Sequence, residues 1–167
     1  MIDKWGDQCD NLHTDLHECL GHGSGKLLDG VSPDALKSYG STIEEARADL
    51  FGLYFIADPK LLQLGLLDNS EAYHAAYYSY MLNGLMTQLV RIAPGNKIEE
   101  AHMRNRALIA RWCYEKGKKN SVAELYTDNG KTYLRINDYE ALRRLFAQLL
   151  AEIQRVKSEG DLEAARL

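Results

Sequence analysis

The chain has few cysteines and no long apolar run. Its three cysteines are an odd number and form no CxxC pair, which argues against a disulfide framework and favours a reducing compartment. No segment approaches the roughly 18 consecutive apolar residues of a membrane span. The opening segment, MIDKWGDQCDNLHTD, lacks the apolar stretch of a secretion signal. We therefore expect a cytoplasmic protein with no membrane partner.

A surplus of positive charge is also missing. Twenty Lys and Arg stand against 24 Asp and Glu, for a net charge of −4. This balance gives no electrostatic footprint for nucleic acid, and it is too mild for a solvating acidic tail. The 46% apolar and 26% charged residues are ordinary for a globular protein. A chain of 167 residues is long enough for one domain with a real core.

The hydrophobic pattern predicts a mainly α fold with about six helices and one small β-hairpin near 122–136. Asp128-Asn129-Gly130, flanked by alternating segments, is the hairpin signal. Ser41 or Thr42 is the expected start signal of the second helix, and Pro59 its stop. The final stretch, EGDLEAARL, predicts a sixth helix that is cut short, so we expect an excised piece of a larger protein. The predicted helices span 11–20, 42–58, 71–92, 98–117 and 138–158, with the last beginning near 160.

The stretch HECLGH is one residue longer than the zinc-peptidase signature HExxH. In HExxH, two histidines four residues apart share a zinc ion, and the glutamate takes a proton from the bound water. Here His17 and His22 are five residues apart, which splays them by about 140° on a regular helix. A π-bulge would realign them, and Gly21 tolerates unusual backbone angles. The alternative is two unrelated histidines and a solvated Glu18.

A third ligand is available in the segment STIEEARADLFGLYF. Glu45 and Asp49 are four residues apart and share one face of the predicted helix. If Glu45 binds zinc, Asp49 points the same way and can accept the free N–H of a ligand histidine, while Glu44 serves the other. The alternative is that these are ordinary N-terminal carboxylates favoured by the helix dipole.

Together, HECLGHGSGKL and EEARAD resemble the HExxGH and EExxAD motifs of the dipeptidyl peptidase III family. EEAHMRNRALI and YEALRRLFAQLLAEIQRVKSEGDLEAAR are also similar to segments of that family. Its members are zinc aminopeptidases that release dipeptides from peptide N-termini. The resemblance implies one Zn²⁺ ion and assigns a role to each matching residue. The implied residues are His17, His22 and Glu45 as zinc ligands, Glu18 as the general base, Glu44 and Asp49 as partners of the histidines, and His102 and Arg106 as active-site residues.

The resemblance also implies what this chain lacks. The family has two lobes with a substrate cleft between them, and the groups that hold the peptide's amino terminus belong to the other lobe. We therefore expect residues 1–167 to form a single domain of the zinc-binding helical lobe. Its partners would be a short peptide substrate and the missing lobe, and alone it would be weakly active or inactive. The alternative is a non-catalytic helical interaction or scaffold module with a vestigial metal site. Glu18 argues against that alternative, because binding zinc does not require it.

Overall fold

The computed structural model describes residues 1–87 and 101–166. For residues 87 and 101–103 it describes the backbone alone. Its described part is mainly helical and contains six α-helices and one antiparallel hairpin, which confirms the predicted fold class. The helices are α1 Ile2–Leu16, α2 Gly40–Phe55, α3 Pro59–Gln63, α4 Tyr73–Leu82, α5 Ala101–Gly117 and α6 Tyr139–Glu159.

Several short turns of other helical types connect or extend these helices. A π-helix, His17–His22, continues α1 without a break, and a second, Asn83–Thr87, continues α4. The 3₁₀ turns are Lys37–Tyr39, Lys118–Asn120 and Ala164–Arg166. The last of these replaces the predicted sixth α-helix near the end of the chain. The ends of the predicted helices 71–92 and 98–117, residues 88–92 and 98–100, lie outside the described residues.

The hairpin forms where the sequence predicts it. Strands β1 Ala123–Asp128 and β2 Lys131–Ile136 pair antiparallel, with Asp128 opposite Lys131. Asn129 and Gly130 both have positive φ, 47° and 74°, as the two central residues of a type I′ turn require. The Asn-Gly pair therefore sets the register of the two strands.

Local signals predict some helix ends and miss others. The Asp138 carboxylate caps α6 by accepting the Ala141 N–H at 2.7 Å, which agrees with the predicted start of this helix near residue 138. The predicted caps of α2 are wrong, because Ser41 lies inside its first turn and the helix begins at Gly40 without a side-chain cap. Pro59 opens α3 behind the Asp58 cap, and α2 has already ended at Phe55.

Helix α2 lies at the centre of the fold and packs against α1, α5 and α6. Its core side chains include Leu50 and Leu53, both fully buried, each worth about 2 kcal/mol of stabilisation by burial. This central helix carries the EEARAD segment, so surrounding helices can contact both its carboxylates and its arginine. None of the described helices is both long and apolar enough to cross a membrane.

Candidate metal centre

The HECLGH segment is a π-helix, the local structure that two histidines at this spacing would need in order to share a metal ion. The wider turn brings the Nε2 atoms of His17 and His22 to 3.0 Å from each other, although the residues are five apart in the chain. The Gly23 N–H continues the wide turn by donating to the Glu18 carbonyl at 3.3 Å. An α-helical turn would have turned one ring away from the other.

Gly21 is required for a reason that the sequence does not reveal. It is not among the described residues with a positive φ, so the predicted need for unusual backbone angles is not the cause. Instead, a Cβ at Gly21 would lie 2.7 Å from both Cα and Cβ of Ala48 in α2. The missing side chain lets the π-helix approach α2, and that approach brings the α2 carboxylates to the histidines.

In each histidine, Nδ1 contacts a carboxylate of α2, and Nε2 points toward the Nε2 of the other histidine. His17 Nδ1 lies 2.7 Å from Asp49 Oδ1, and His22 Nδ1 lies 3.0 Å from Glu44 Oε1. The Glu45 carboxylate faces the other two nitrogens, at 3.4 Å from His17 Nε2 and 3.7 Å from His22 Nε2. The ligand atoms of His17, His22 and Glu45 all lie within 4.8 Å of one another.

This arrangement fits a zinc ion by the chemistry of its donors. An ionised carboxylate only accepts hydrogen bonds, so Nδ1 of each neutral imidazole carries the proton and Nε2 carries a lone pair. Two lone pairs facing each other at 3.0 Å repel unless a cation or an extra proton lies between them. Two ligand atoms on a tetrahedral zinc ion lie about 3.3 Å apart, close to the distances seen here. Two histidines with one carboxylate are a common catalytic zinc set.

The two carboxylates behind the histidines are both held in the ionised form. Burial opposes ionisation of Glu44, but hydrogen bonds from Arg47, Lys157 and His22 outweigh it and lower its pKa to about 2. Burial likewise opposes ionisation of Asp49, yet its hydrogen bond to His17, the nearby His13 and the Tyr80 hydroxyl lower its pKa overall. Both groups are therefore acceptors for histidine N–H groups at neutral pH.

Arg47 supports the site and was not predicted from the sequence. Its guanidinium is fully buried, donates to the Gly21 carbonyl at 2.6 Å and contacts both oxygens of Glu44. Lys157 of α6 reaches the same carboxylate at 2.5 Å. Only the position of Arg47 inside EEARAD, three residues after Glu44, could have suggested its role. Nothing near Lys157 indicates a contact 113 residues away.

Tyr80 and Asn105 are the other supporting residues that sequence reasoning missed. The Tyr80 hydroxyl and the Asn105 Nδ2 donate to Asp49 Oδ2 at 2.8 and 2.7 Å. They lie in α4 and α5. Asn105 falls inside the quoted segment EEAHMRNRALI, but no role was assigned to it, and no quoted segment includes Tyr80. Their contact with Asp49 depends on how these helices pack beside α2.

Of the three predicted catalytic residues, Glu18 and Arg106 differ in their exposure to solvent. Glu18 is exposed on the π-helix, directly after the buried His17. Arg106 is half-buried, with its guanidinium 5.4 Å from the centre of the Tyr80 ring, and it lines a pocket of about 170 Å³. The side chain of His102 lies outside the described residues. The assignment of His102 and Arg106 as active-site residues therefore stays a prediction.

The chain is similar to peptidases of known family. Residues 30–167 match the model of peptidase family M49, a range that does not include HECLGH. Dipeptidyl peptidase 3 of Rattus norvegicus is 24% identical over 202 aligned residues, which cover 98% of this chain and 27% of the rat protein. The Homo sapiens protein of the same name is 23% identical, and the alignment covers 97% of this chain and 27% of the human protein. The structure of DPP III from Caldithrix abyssi matches with a TM-score of 0.66 at 23% identity, over 93% of this chain and 28% of that one. This chain thus spans about a quarter of the length of these relatives.

Proposed function

The chain belongs to peptidase family M49, and from that premise we propose that it is the metal-binding part of a zinc-dependent dipeptidyl peptidase. The observation that carries the proposal is the facing pair of histidine Nε2 atoms, 3.0 Å apart beside the Glu45 carboxylate. The names of the rat and human relatives support dipeptide release as the reaction. The ligands of one Zn²⁺ ion would be His17, His22 and Glu45.

Each residue of the site has a definite task in this proposal. A bound zinc ion would polarise the scissile carbonyl and lower the pKa of a water molecule. The exposed Glu18 carboxylate would accept a proton from that water and deliver it to the leaving amine. Asp49 and Glu44 would keep the two ligand histidines oriented through their Nδ1 atoms. His102 and Arg106 would stabilise the negative charge that develops on the substrate oxygen.

The substrate would be a short peptide held between this chain and a second lobe of the same protein. The chain covers 27% of the rat relative, which supports a cleft that is completed by residues outside it. We therefore propose that residues 1–167 form one domain whose peptidase activity alone is weak or absent. Its cysteines, Cys9, Cys19 and Cys113, are free thiols, which supports a cytoplasmic location.

Zinc stoichiometry tests the ligand set directly. The chain should bind one zinc ion per molecule, and His22→Ala or Glu45→Ala should remove stoichiometric binding, because each takes away one of three ligands. Elemental analysis after dialysis measures the metal content. The matched control is Glu115→Ala, which removes an exposed carboxylate that pairs only with Lys118 within the described residues. If Glu45→Ala keeps as much zinc as Glu115→Ala, Glu45 is not a ligand.

A further inference from the structure

The Asp49 carboxylate is fixed from three sides in the core. Only 5% of this residue is exposed, and Oδ1 accepts from His17 Nδ1 at 2.7 Å. Oδ2 accepts from the Tyr80 hydroxyl at 2.8 Å and from Asn105 Nδ2 at 2.7 Å. The donors come from the π-helix, from α4 and from α5, while Asp49 itself belongs to α2. Four elements thus meet at one buried carboxylate.

The donors to Oδ2 are neutral, which separates Asp49 from the other carboxylate of the site. Glu44 is held by two cations, Arg47 and Lys157, which compensate its charge. Tyr80 and Asn105 fix the orientation of Asp49 without adding a positive charge. Asp49 therefore presents to the Nδ1–H of His17 a negative charge that neither Tyr80 nor Asn105 neutralises, which favours the tautomer with its lone pair on Nε2.

Asn105 reduces the stability of the core at this position. It is fully buried, and its Oδ1 makes no hydrogen bond within the described part of the chain. Burying an amide without satisfying it costs stability, so an apolar side chain of similar size would suit the core better. The described contact that its amide gains is the one with Asp49. This imbalance is typical of a residue retained for a site.

We propose that Tyr80 and Asn105 are positioning residues that hold Asp49 so that His17 presents Nε2 to the metal. The role of the metal rests on the proposed function, whereas the control of the His17 tautomer does not. Neither residue touches the metal or the substrate in this proposal. They act through Asp49, at a distance of two hydrogen bonds from the ligand nitrogen.

Metal affinity of isosteric variants tests the proposal. Tyr80→Phe and Asn105→Leu each remove one donor with little change in volume, and each should weaken zinc binding by about tenfold in a chelator competition. Tyr77→Phe is the matched control, because Tyr77 is buried on the same helix and its hydroxyl donates to the Leu53 carbonyl at 2.8 Å. It should change zinc affinity less than twofold. Equal losses in Tyr77→Phe and Tyr80→Phe, or no loss in Tyr80→Phe and Asn105→Leu, would overturn the proposal.

A second readout on the metal-free chain separates this proposal from the proposed function. ¹⁵N NMR of the imidazoles should be recorded at a pH high enough for the rings to be neutral. It should show His17 with its proton on Nδ1 in the wild type and in Tyr77→Phe. The double variant Tyr80→Phe/Asn105→Leu should show a mixture of tautomers. A wild-type chain that binds no zinc would refute the metal site and leave this test intact. An unchanged His17 tautomer in a folded double variant would refute the positioning role.

Discussion

Gly21 shows how a single residue sets the geometry of the whole site. Because its missing side chain allows the π-helix to contact Ala48, the histidines and the α2 carboxylates can meet. The glycine is therefore a steric requirement of the contact between two helices. An alanine would place its Cβ against backbone atoms, which cannot move away as a flexible side chain would.

We expect Gly21→Ala to lower the free energy of unfolding by about 1–3 kcal/mol, since overpacking in a core costs this much. It should also weaken zinc binding by about tenfold, because the π-helix must shift away from Glu45. Chemical denaturation and a chelator competition measure the two effects. Gly40→Ala is the control, because its Cβ would meet only Leu36 Cβ, at 3.9 Å. Equal stability of the two variants would contradict the steric explanation.

At the scale of elements, Arg47 ties together the π-helix, α2 and α6. Its guanidinium joins the Gly21 carbonyl to Glu44, and its Nη1 also lies 3.5 Å from the amide oxygen of Gln154. The Gly21 carbonyl lies in the last turn of the π-helix, so a fully buried charge holds that turn. A buried charge of this kind is costly unless every donor finds an acceptor.

Replacing Arg47 should therefore destabilise the contact between the π-helix and the EEARAD segment of α2. Arg47→Met should reduce the free energy of unfolding by about 3 kcal/mol, because it leaves a partly buried carboxylate with fewer partners. The double variant Arg47→Met/Glu44→Gln should lose less than the sum of the two single variants. Arg155→Met is the control, since Arg155 pairs with three carboxylates but at the surface. Denaturant unfolding should show a smaller loss for Arg155→Met, and equal losses would refute the buried anchor.

Elements with strong local signals could be predicted from the sequence. The Asn129-Gly130 turn and the start of a helix near Asp138 are two examples, and the structure has both. The spacing of His17 and His22 indicates a π-bulge only if the two histidines share a metal, and the structure has a π-helix there. Contacts between distant elements could not be predicted in this way. Asn105 meets Asp49 across 56 residues, and although it lies in the segment EEAHMRNRALI, nothing in that segment indicates its partner. The start of α1 at Ile2 was also missed, because its first turns have few apolar residues.

At the scale of the whole molecule, several helices support the site, while Glu18 is exposed to solvent. The histidines and the α2 carboxylates are anchored by α4, α5 and α6, whereas the general base proposed here is exposed. A general base open to bulk water needs further groups that exclude solvent and hold the free amine of a peptide. This arrangement agrees with a chain that spans 27% of the length of its rat relative.

Hydrolysis of a dipeptidyl-naphthylamide tests both parts of this view. The chain should turn over the substrate at least about 100-fold more slowly than the rat enzyme assayed beside it, because the proposed function assigns the groups that position the substrate to a second lobe. Glu18→Gln should abolish the remaining turnover and keep stoichiometric zinc, since the glutamate acts on the proton and does not bind the metal. Turnover equal to that of the rat enzyme would show that the cleft is complete. Residual turnover that Glu18→Gln leaves unchanged would instead favour a scaffold in which Glu18 has no catalytic task.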